Sequence, residues 1–425
     1  MSGAMLTAML VLFAASIPVA VAIGLAAILG IAGFTSFPLI VAAQQLFVAL
    51  DKFPLAAIPF FILAGNLMEV GGISRRLVAF AQSIVGGIQG GLAATCIVTC
   101  MIFAAISGSS VATTFAIGAI MIPALVRAGY PVPFAAALQA TAAELGVVIP
   151  PSIPMILYGV TTQTSIPELF IAGIVPGLLI AAALIATVLV WCRITGWGKQ
   201  DGEGRLPFRQ ATKQAGFALL MPVVVLGGIY GGVTTPTEAS VIAVAYAILI
   251  GMFIHRELGW RDLYPIFRKS VISSAVILFI IACAALFSWL LNRQGVPDAA
   301  AAWLVATFDG PGWYLLGVNL FLFVVGMFVE TSASIIVLAP ILAEAAERFG
   351  IDGVHFGTVM VVNLAMGMIT PPFGVNLFAA AQVAGTSLDR MMRYLPVFIG
   401  VIFLCLMLIT YVPWFVLVLP ELVFR

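Results

Sequence analysis

The residues best placed to do chemistry are hydroxyls and freed backbone carbonyls at two matching helix breaks. GVVIPPS runs from Gly146 to Ser152 and GMITPPF from Gly367 to Phe373, each a Gly, three residues and then Pro-Pro inside a long apolar stretch. Paired prolines remove backbone donors and clash with the preceding turn, so each helix must break there. Two runs of small polar residues accompany the breaks: SGSS at Ser107 to Ser110 and ETSAS at Glu330 to Ser334. Hydroxyls and exposed carbonyls suit a hard monovalent cation, and the N–H dipoles at short segment starts suit an anion. Three acids also lie in apolar surroundings. Glu238, just after Pro236, reads as a carboxylate stabilising a helix N-terminus. Glu144 and Glu330 read either as paired structural groups or as transport groups, since intramembrane carboxylates are costly and rare.

Such breaks make sense only if something encloses them. Hydrophobic residues make up 63% of the chain and charged residues 8%, and the mean hydropathy is +1.20. A soluble domain is roughly 45–50% apolar and 25% charged, so the surroundings are lipid. Non-helical backbone at membrane depth survives only inside protein or beside a water-filled cavity, and breaks at matching positions of two halves point to a transport site. A balance of 18 basic against 17 acidic residues gives no electrostatic case for nucleic acid. The five cysteines, Cys96, Cys100, Cys192, Cys283 and Cys405, form no CxxC or His cluster and read as packing residues. GGIQGG at Gly86 to Gly91 lacks the Lys-Ser/Thr of a phosphate loop. The first apolar segment has no basic n-region or cleavage site, so it is expected to remain in the mature protein. His255 and His355 sit apart near segment ends and are expected to be solvated or interfacial.

A spanning helix needs about 20 apolar residues. Candidate spans are 5–17, 18–34, 54–70, 133–162 (broken), 166–192, 214–231, 236–254, 270–291, 354–384 (broken) and 394–418. The stretches 91–126 and 312–347 are interrupted by SGSS and ETSAS, and each is two spans or one re-entrant hairpin. Arms of about 15 residues favour the hairpin. The most polar connection, residues 195–213 and the flanking Arg193, is rich in Arg and Lys, which places it in the cytoplasm. Walking outward from it leaves only Lys52, Arg293, Arg348 and Arg425 outside, together with both termini. Arg75 and Arg76 with the apolar run after them, and Tyr264 to Lys269, read as helices lying on the cytoplasmic interface.

Residues 1–194 and 214–425 read as an inverted repeat, because an odd number of crossings in each half starts the second copy on the opposite side. Pro18 falls over Pro236 and Gly33 over Gly251; GNLMEVGGIS from Gly65 matches SWLLNRQGVP from Ser288; Pro123 and Arg127 match Pro340 and Arg348. The offset stays between about 217 and 223 across these landmarks. The expected fold class is an all-α polytopic membrane protein: about five spans and one re-entrant hairpin per half, with broken helices.

At these residues the chain resembles the large membrane subunit of the tripartite ATP-independent periplasmic (TRAP) transporters, the DctM-like family. The marks are PFFILAGNLMEVGGISRRL at Pro59 to Leu77, ISGSSVATTFAIGAIMIPAL at Ile106 to Leu125, LGVVIPPSIPMILYG at Leu145 to Gly159, GGVTTPTEAS at Gly231 to Ser240, and MITPPFGVNLF at Met368 to Phe378. The resemblance covers essentially the whole chain. It implies a sodium-driven importer of a small organic acid (a C4-dicarboxylate, sialic acid or another carboxylate) in the bacterial inner membrane. It also implies an elevator motion, in which a transport domain carrying both hairpins and both broken helices slides past a fixed scaffold. The implied partners are a small DctQ-like membrane subunit, to which this chain looks unfused, and a periplasmic DctP-like binding protein. The implied ions are sodium alone, with no transition metal and no other cofactor. Carried over position by position, one sodium site draws on Ser107, Gly108, Ser109 and Ser110 with Gly146, Val148 and Pro150. The second uses Thr331 and Ser332 with Gly367, Ile369 and Thr370. Substrate carboxylate falls near Ser152, Thr370 and Asn376.

Two other classes compete. A stand-alone sodium/dicarboxylate carrier of similar hairpin architecture needs no periplasmic partner. An intramembrane enzyme needs a catalytic constellation on facing helices, and none is visible, so no enzymatic activity is expected. Replacing Ser109 or Thr331 with Trp is predicted to abolish sodium-dependent uptake without stopping membrane insertion; normal uptake in both variants would remove the two tips from the mechanism.

Overall fold

Apolar periodicity interrupted by Pro and Gly dictates an all-helical chain, and the computed structural model, which describes residues 2–15, 17–199 and 205–424, contains helices and no strands among those residues. Residues 200–204 of the polar connection and Arg425 lie outside them. The first half runs α1 (Ser2–Ala14), α2 (Val19–Phe34), α3 (Ile40–Leu50), α4 (Ala57–Val70) and α5 (Ile73–Val85). Next come the helix pair α6 (Gly91–Ser107) and α7 (Ser110–Arg127), then the broken helix α8 (Val132–Ala143), α9 (Leu145–Val148) and α10 (Ile153–Thr162). It closes with α11 (Ile166–Ala172) and α12 (Ile174–Thr195). The second half opens with α13 (Phe208–Tyr230), α14 (Pro236–Leu249), which ends in a π turn at Ile250–Ile254, and α15 (Trp260–Arg293). It continues with α16 (Val296–Thr307), the pair α17 (Pro311–Phe328) and α18 (Thr331–Arg348), and the broken helix α19 (Gly353–Gly367) and α20 (Val375–Ala384). Last are α21 (Leu388–Met391), α22 (Leu395–Tyr411) and α23 (Trp414–Phe424).

Packing between the halves is reciprocal. α2 lies along α15 while α14 lies along α4, and α20 packs on α7 while α10 packs on α18. The same polar device ties each broken helix to its helix pair. In the first half Gln139 of α8 accepts from Cys96 of α6 at 3.1 Å and donates to the Thr113 carbonyl of α7 at 3.3 Å. In the second, the Asn363 amide of α19 donates to the Asn319 side chain of α17 at 2.6 Å and to its carbonyl at 2.9 Å. α5 is amphipathic: Ile73, Leu77 and Ala81 are buried at i, i+4 and i+8, and Arg75 and Arg76 reach Glu257 at 3.3 and 2.7 Å.

Several expectations need correction. Tyr264 to Lys269 is no separate interfacial helix but part of the unbroken α15, which carries Pro265 inside it near its start. The stretch 394–418 is not one straight span: the chain bends 53° between α22 and α23, where Pro413 removes a donor. α3 and α16 were not anticipated, being too short to span. By length and apolarity alone the described helices include seven able to cross a membrane, two of them the arms α7 and α17 of the helix pairs, or up to nine if each bent pair counts once. Of the ten expected spans seven are matched; 5–17, 18–34 and 354–384 are not, because α1, α2 and the halves of the second broken helix are each short. His355 is not solvated: it is 3% exposed and donates to the Ile409 carbonyl at 3.0 Å. Glu238 does cap α14, accepting from the Thr235 N–H at 2.8 Å while its own N–H donates to the Thr235 hydroxyl at 3.3 Å.

Helix α17 meets α19 backbone to backbone at Gly326 and Gly367, where a side chain on either glycine would collide with the other's main chain. Gly367→Val is predicted to destabilise the protein by at least about 2 kcal/mol through overpacking. Gly216, with open space around it, is the control: Gly216→Ala should leave the thermal melt in detergent unlowered, and equal melts for the two variants would contradict the contact.

Candidate functional site: helix-pair tips against broken helices

Each helix pair doubles back through two residues, and each tip meets a proline break. Between α6 and α7, Gly108 adopts φ +62°, and a β-carbon there would lie 2.7 Å from the Pro151 carbonyl oxygen. Its own carbonyl accepts the Ile153 N–H, the first of α10, at 3.3 Å. Ser109 caps α7 by accepting from the Ala112 N–H at 3.4 Å. Thr113, which sequence reasoning overlooked, donates to the Ser109 carbonyl at 2.8 Å, and its hydroxyl stands 3.0 Å from that of Ser107. Gly146 lies against this cluster: an added β-carbon would sit 2.8 Å from both the Ser109 carbonyl and the Thr113 hydroxyl. Ser107, Gly108, Ser109 and Gly146 therefore come together as oxygen-rich backbone. Val148 and Pro150 belong to the same break, the Val148 carbonyl facing Gly173. Pro150–Pro151 and Pro371–Pro372 are both cis.

The second tip is built differently. Glu330 caps α18 with its carboxylate, accepting from the N–H groups of Ser332 and Ala333 at 2.8 and 3.2 Å and from the Ser332 hydroxyl at 2.9 Å. Thr331 instead donates to the Met368 sulfur at 2.9 Å. The same sulfur accepts from Ser110 of the first tip at 3.9 Å. Met368 thus stands between the two tips, a role invisible in the sequence because a methionine in an apolar run looks like packing. Ile369 and Thr370 fold back on the end of α19, the Thr370 hydroxyl reaching the Met366 carbonyl at 2.9 Å. Gly367 is committed to its contact with Gly326.

A cavity of about 490 Å³ opens between the first tip and the wall formed by α4 and α15. Its polar lining comprises Asn66, Ser107, Ser109, Lys269, Ser273 and Glu330. Lys269 is 57% exposed and pairs with Glu69 at 3.0 Å, and Asn66 donates to Ser270 at 2.8 Å, tying α4 to α15. Of the three expected substrate contacts, Ser152 and Asn376 are fully enclosed and Thr370 does not reach the cavity wall. Ser152 caps α10 and donates to the Val147 carbonyl at 2.5 Å. Asn376 donates to Glu144. Lys269, assigned from the sequence to the interface, is the cation of the cavity. The α18 N-terminus is already neutralised by Glu330, whereas a neutral serine caps α7, so the anion-attracting end is the first tip.

Comparison with known proteins gives this geometry a setting. Residues 6–415 match the family described as the tripartite ATP-independent periplasmic transporter, DctM component. The chain is 43% identical over 398 residues to the isethionate TRAP transporter permease protein DctMQ of Oleidesulfovibrio alaskensis, covering 93% of this chain and 63% of that one. It is 40% identical to the C4-dicarboxylate TRAP transporter large permease protein DctM of Pseudomonas aeruginosa, with 89% of each chain covered. To the sialic acid large permease SiaM of Vibrio cholerae it is 35% identical, covering 90% and 89%. The fold also superimposes on the Alcanivorax borkumensis YdaH transporter with a TM-score of 0.63 at 16% identity, covering 90% of this chain and 89% of that one.

Met368→Leu keeps the volume but removes the sulfur that accepts from Thr331 and Ser110. Losing a hydrogen bond that contributes about 1 kcal/mol is predicted to raise the sodium concentration for half-maximal uptake roughly three- to tenfold with little change in melting temperature. An unaltered sodium titration would exclude the thioether from tip positioning.

Proposed function

The chain belongs to the DctM-component family of tripartite ATP-independent periplasmic transporters, a multi-pass membrane permease and not an enzyme; from that premise we propose that it imports a small carboxylate across the bacterial inner membrane, driven by sodium. The observation that carries the substrate class is the cavity in which Lys269 and the serine-capped start of α7 face one space. Lys269 is the one basic residue of that lining, opposed by Glu69 in its ion pair and by the Glu330 carboxylate on the same cavity, so the N-terminus of α7, capped only by a neutral serine, is the feature that favours an anion there. Sodium, rather than protons, suits the tips: Ser107, Ser109, Thr113 and Thr331 with adjacent carbonyls supply hard oxygen donors, and no chain of titratable groups runs through them.

The reciprocal packing of α2 with α15 and α14 with α4 supports the inverted repeat, in which α1–α4 and α13–α15 form the scaffold. The helix pairs, broken helices and α12–α22 contact form the moving body, with α5 and α16 as arms against the helix pairs. An elevator motion then slides the tips along the wall of α4 and α15. A small membrane subunit packs on the scaffold, and a periplasmic binding protein delivers substrate.

The test is uptake of labelled succinate, sialic acid and isethionate into proteoliposomes, with and without a small subunit and binding protein, under a sodium gradient or a pH gradient. Sodium-driven uptake only with both partners is expected; uptake by the chain alone indicates a stand-alone carrier, and equal drive by a pH gradient without sodium refutes sodium coupling. Lys269→Gln is predicted to raise KM for the carboxylate about three- to tenfold while leaving kcat nearly unchanged; an unchanged KM would take Lys269 out of recognition.

A further inference from the structure

The cavity beside the first tip is apolar over most of its lining. Val111 and Phe115 of α7 and Ile153 of α10 line it on the side of the tip, and Ile272, Val276 and Ile280 on the side of α15. Its polar groups are largely committed: the Asn66 amide donates to Ser270, the Ser107 hydroxyl pairs with that of Thr113, and the Ser109 hydroxyl caps α7. Lys269 is engaged by Glu69. Of the two helix starts that meet here, that of α7 is open to an anion, whereas that of α18 already holds the Glu330 carboxylate on its Ser332 and Ala333 N–H groups. Glu330 lines the same cavity, so a ligand with a second acid group meets a like charge there instead of a second receptor.

We propose that the cavity takes a monocarboxylate with an apolar carbon body, its acid group at the start of α7 and its chain between α7 and α15, and that Glu330 selects against dicarboxylates. At about 490 Å³ the space admits a body well beyond the carboxylate itself. Each methylene buried against apolar walls strengthens binding about fourfold. A polyhydroxylated body loses its water on the same walls without finding enough hydrogen-bond partners in exchange. The inference rests on the reading of this cavity as a carboxylate site and adds the class of acid; sodium coupling does not enter it.

The experiment is calorimetric titration of the purified full chain in nanodiscs, in sodium buffer and without a binding protein, so that any discrimination is the chain's own; empty nanodiscs correct for partitioning into lipid. The probes are two pairs of acids matched in carbon number, butyrate with succinate and pentanoate with glutarate. Pentanoate is expected to bind about fourfold more tightly than butyrate and at least tenfold more tightly than glutarate. Glu330→Gln keeps an acceptor for the α18 cap but removes the charge, and should tighten glutarate at least threefold with pentanoate nearly unchanged. Ile272→Asn should erase the gain from butyrate to pentanoate, a chain-length dependence that general loosening of the fold does not single out, and it stands in if the Glu330 variant does not fold. Wild-type binding of the dicarboxylates as tight as that of their matched monocarboxylates would overturn the inference and leave carboxylate import standing. Binding of none of the four acids would overturn the carboxylate reading of the cavity along with it.

Discussion

Peptide groups freed by proline inside an apolar slab must find partners within the protein, and nearly every feature of the centre follows from that constraint. The Ile153 N–H, stranded by Pro150 and Pro151, is taken by the Gly108 carbonyl. That bond requires the tip to approach the break closely, which in turn requires glycine at Gly108 and at Gly146, where a side chain would strike main chain or hydroxyl. Ser109 and Ser152 then cap the two helices that restart beyond the gaps. The oxygen-rich cluster that recommends itself as an ion site is thus also the means by which the break is tolerated.

The two halves solve the same problem unequally. A neutral serine caps the first tip and a carboxylate the second, so equivalent helix dipoles meet different charges. Gln139 of α8 and Asn363 of α19 each tie a broken helix to its helix pair, through a thiol and a main-chain carbonyl in one case and through a side-chain amide and a main-chain carbonyl in the other. Equivalent backbone with unequal side chains thus gives one architecture two tips of different charge.

Much of this was legible in the sequence because its signals are local. The proline pairs, the SGSS run and the Thr235–Glu238 cap each declare themselves within a few residues, and the structure sets Ser107, Ser109 and Gly146 together. Long-range matters were not legible. Lys269 reads as an interfacial lysine until α15 proves continuous and carries it to the cavity wall. Met368 reads as filler, and Asn376 as a ligand for substrate rather than a partner of Glu144, 232 residues away in the chain. No spacing rule links those two residues, because their meeting is fixed by how α20 lies along α8.

One asymmetry of the wall has its own consequence. α15 runs 34 residues without interruption, about 51 Å at 1.5 Å per residue, whereas its counterpart is jointed at Asp51 to Pro54 between α3 and α4. A continuous helix resists bending along its whole length, and a jointed one yields at the joint. The wall is therefore stiff along one of its helices and articulated along the other, and any bending of it falls at a single elbow near Lys52 and Phe53.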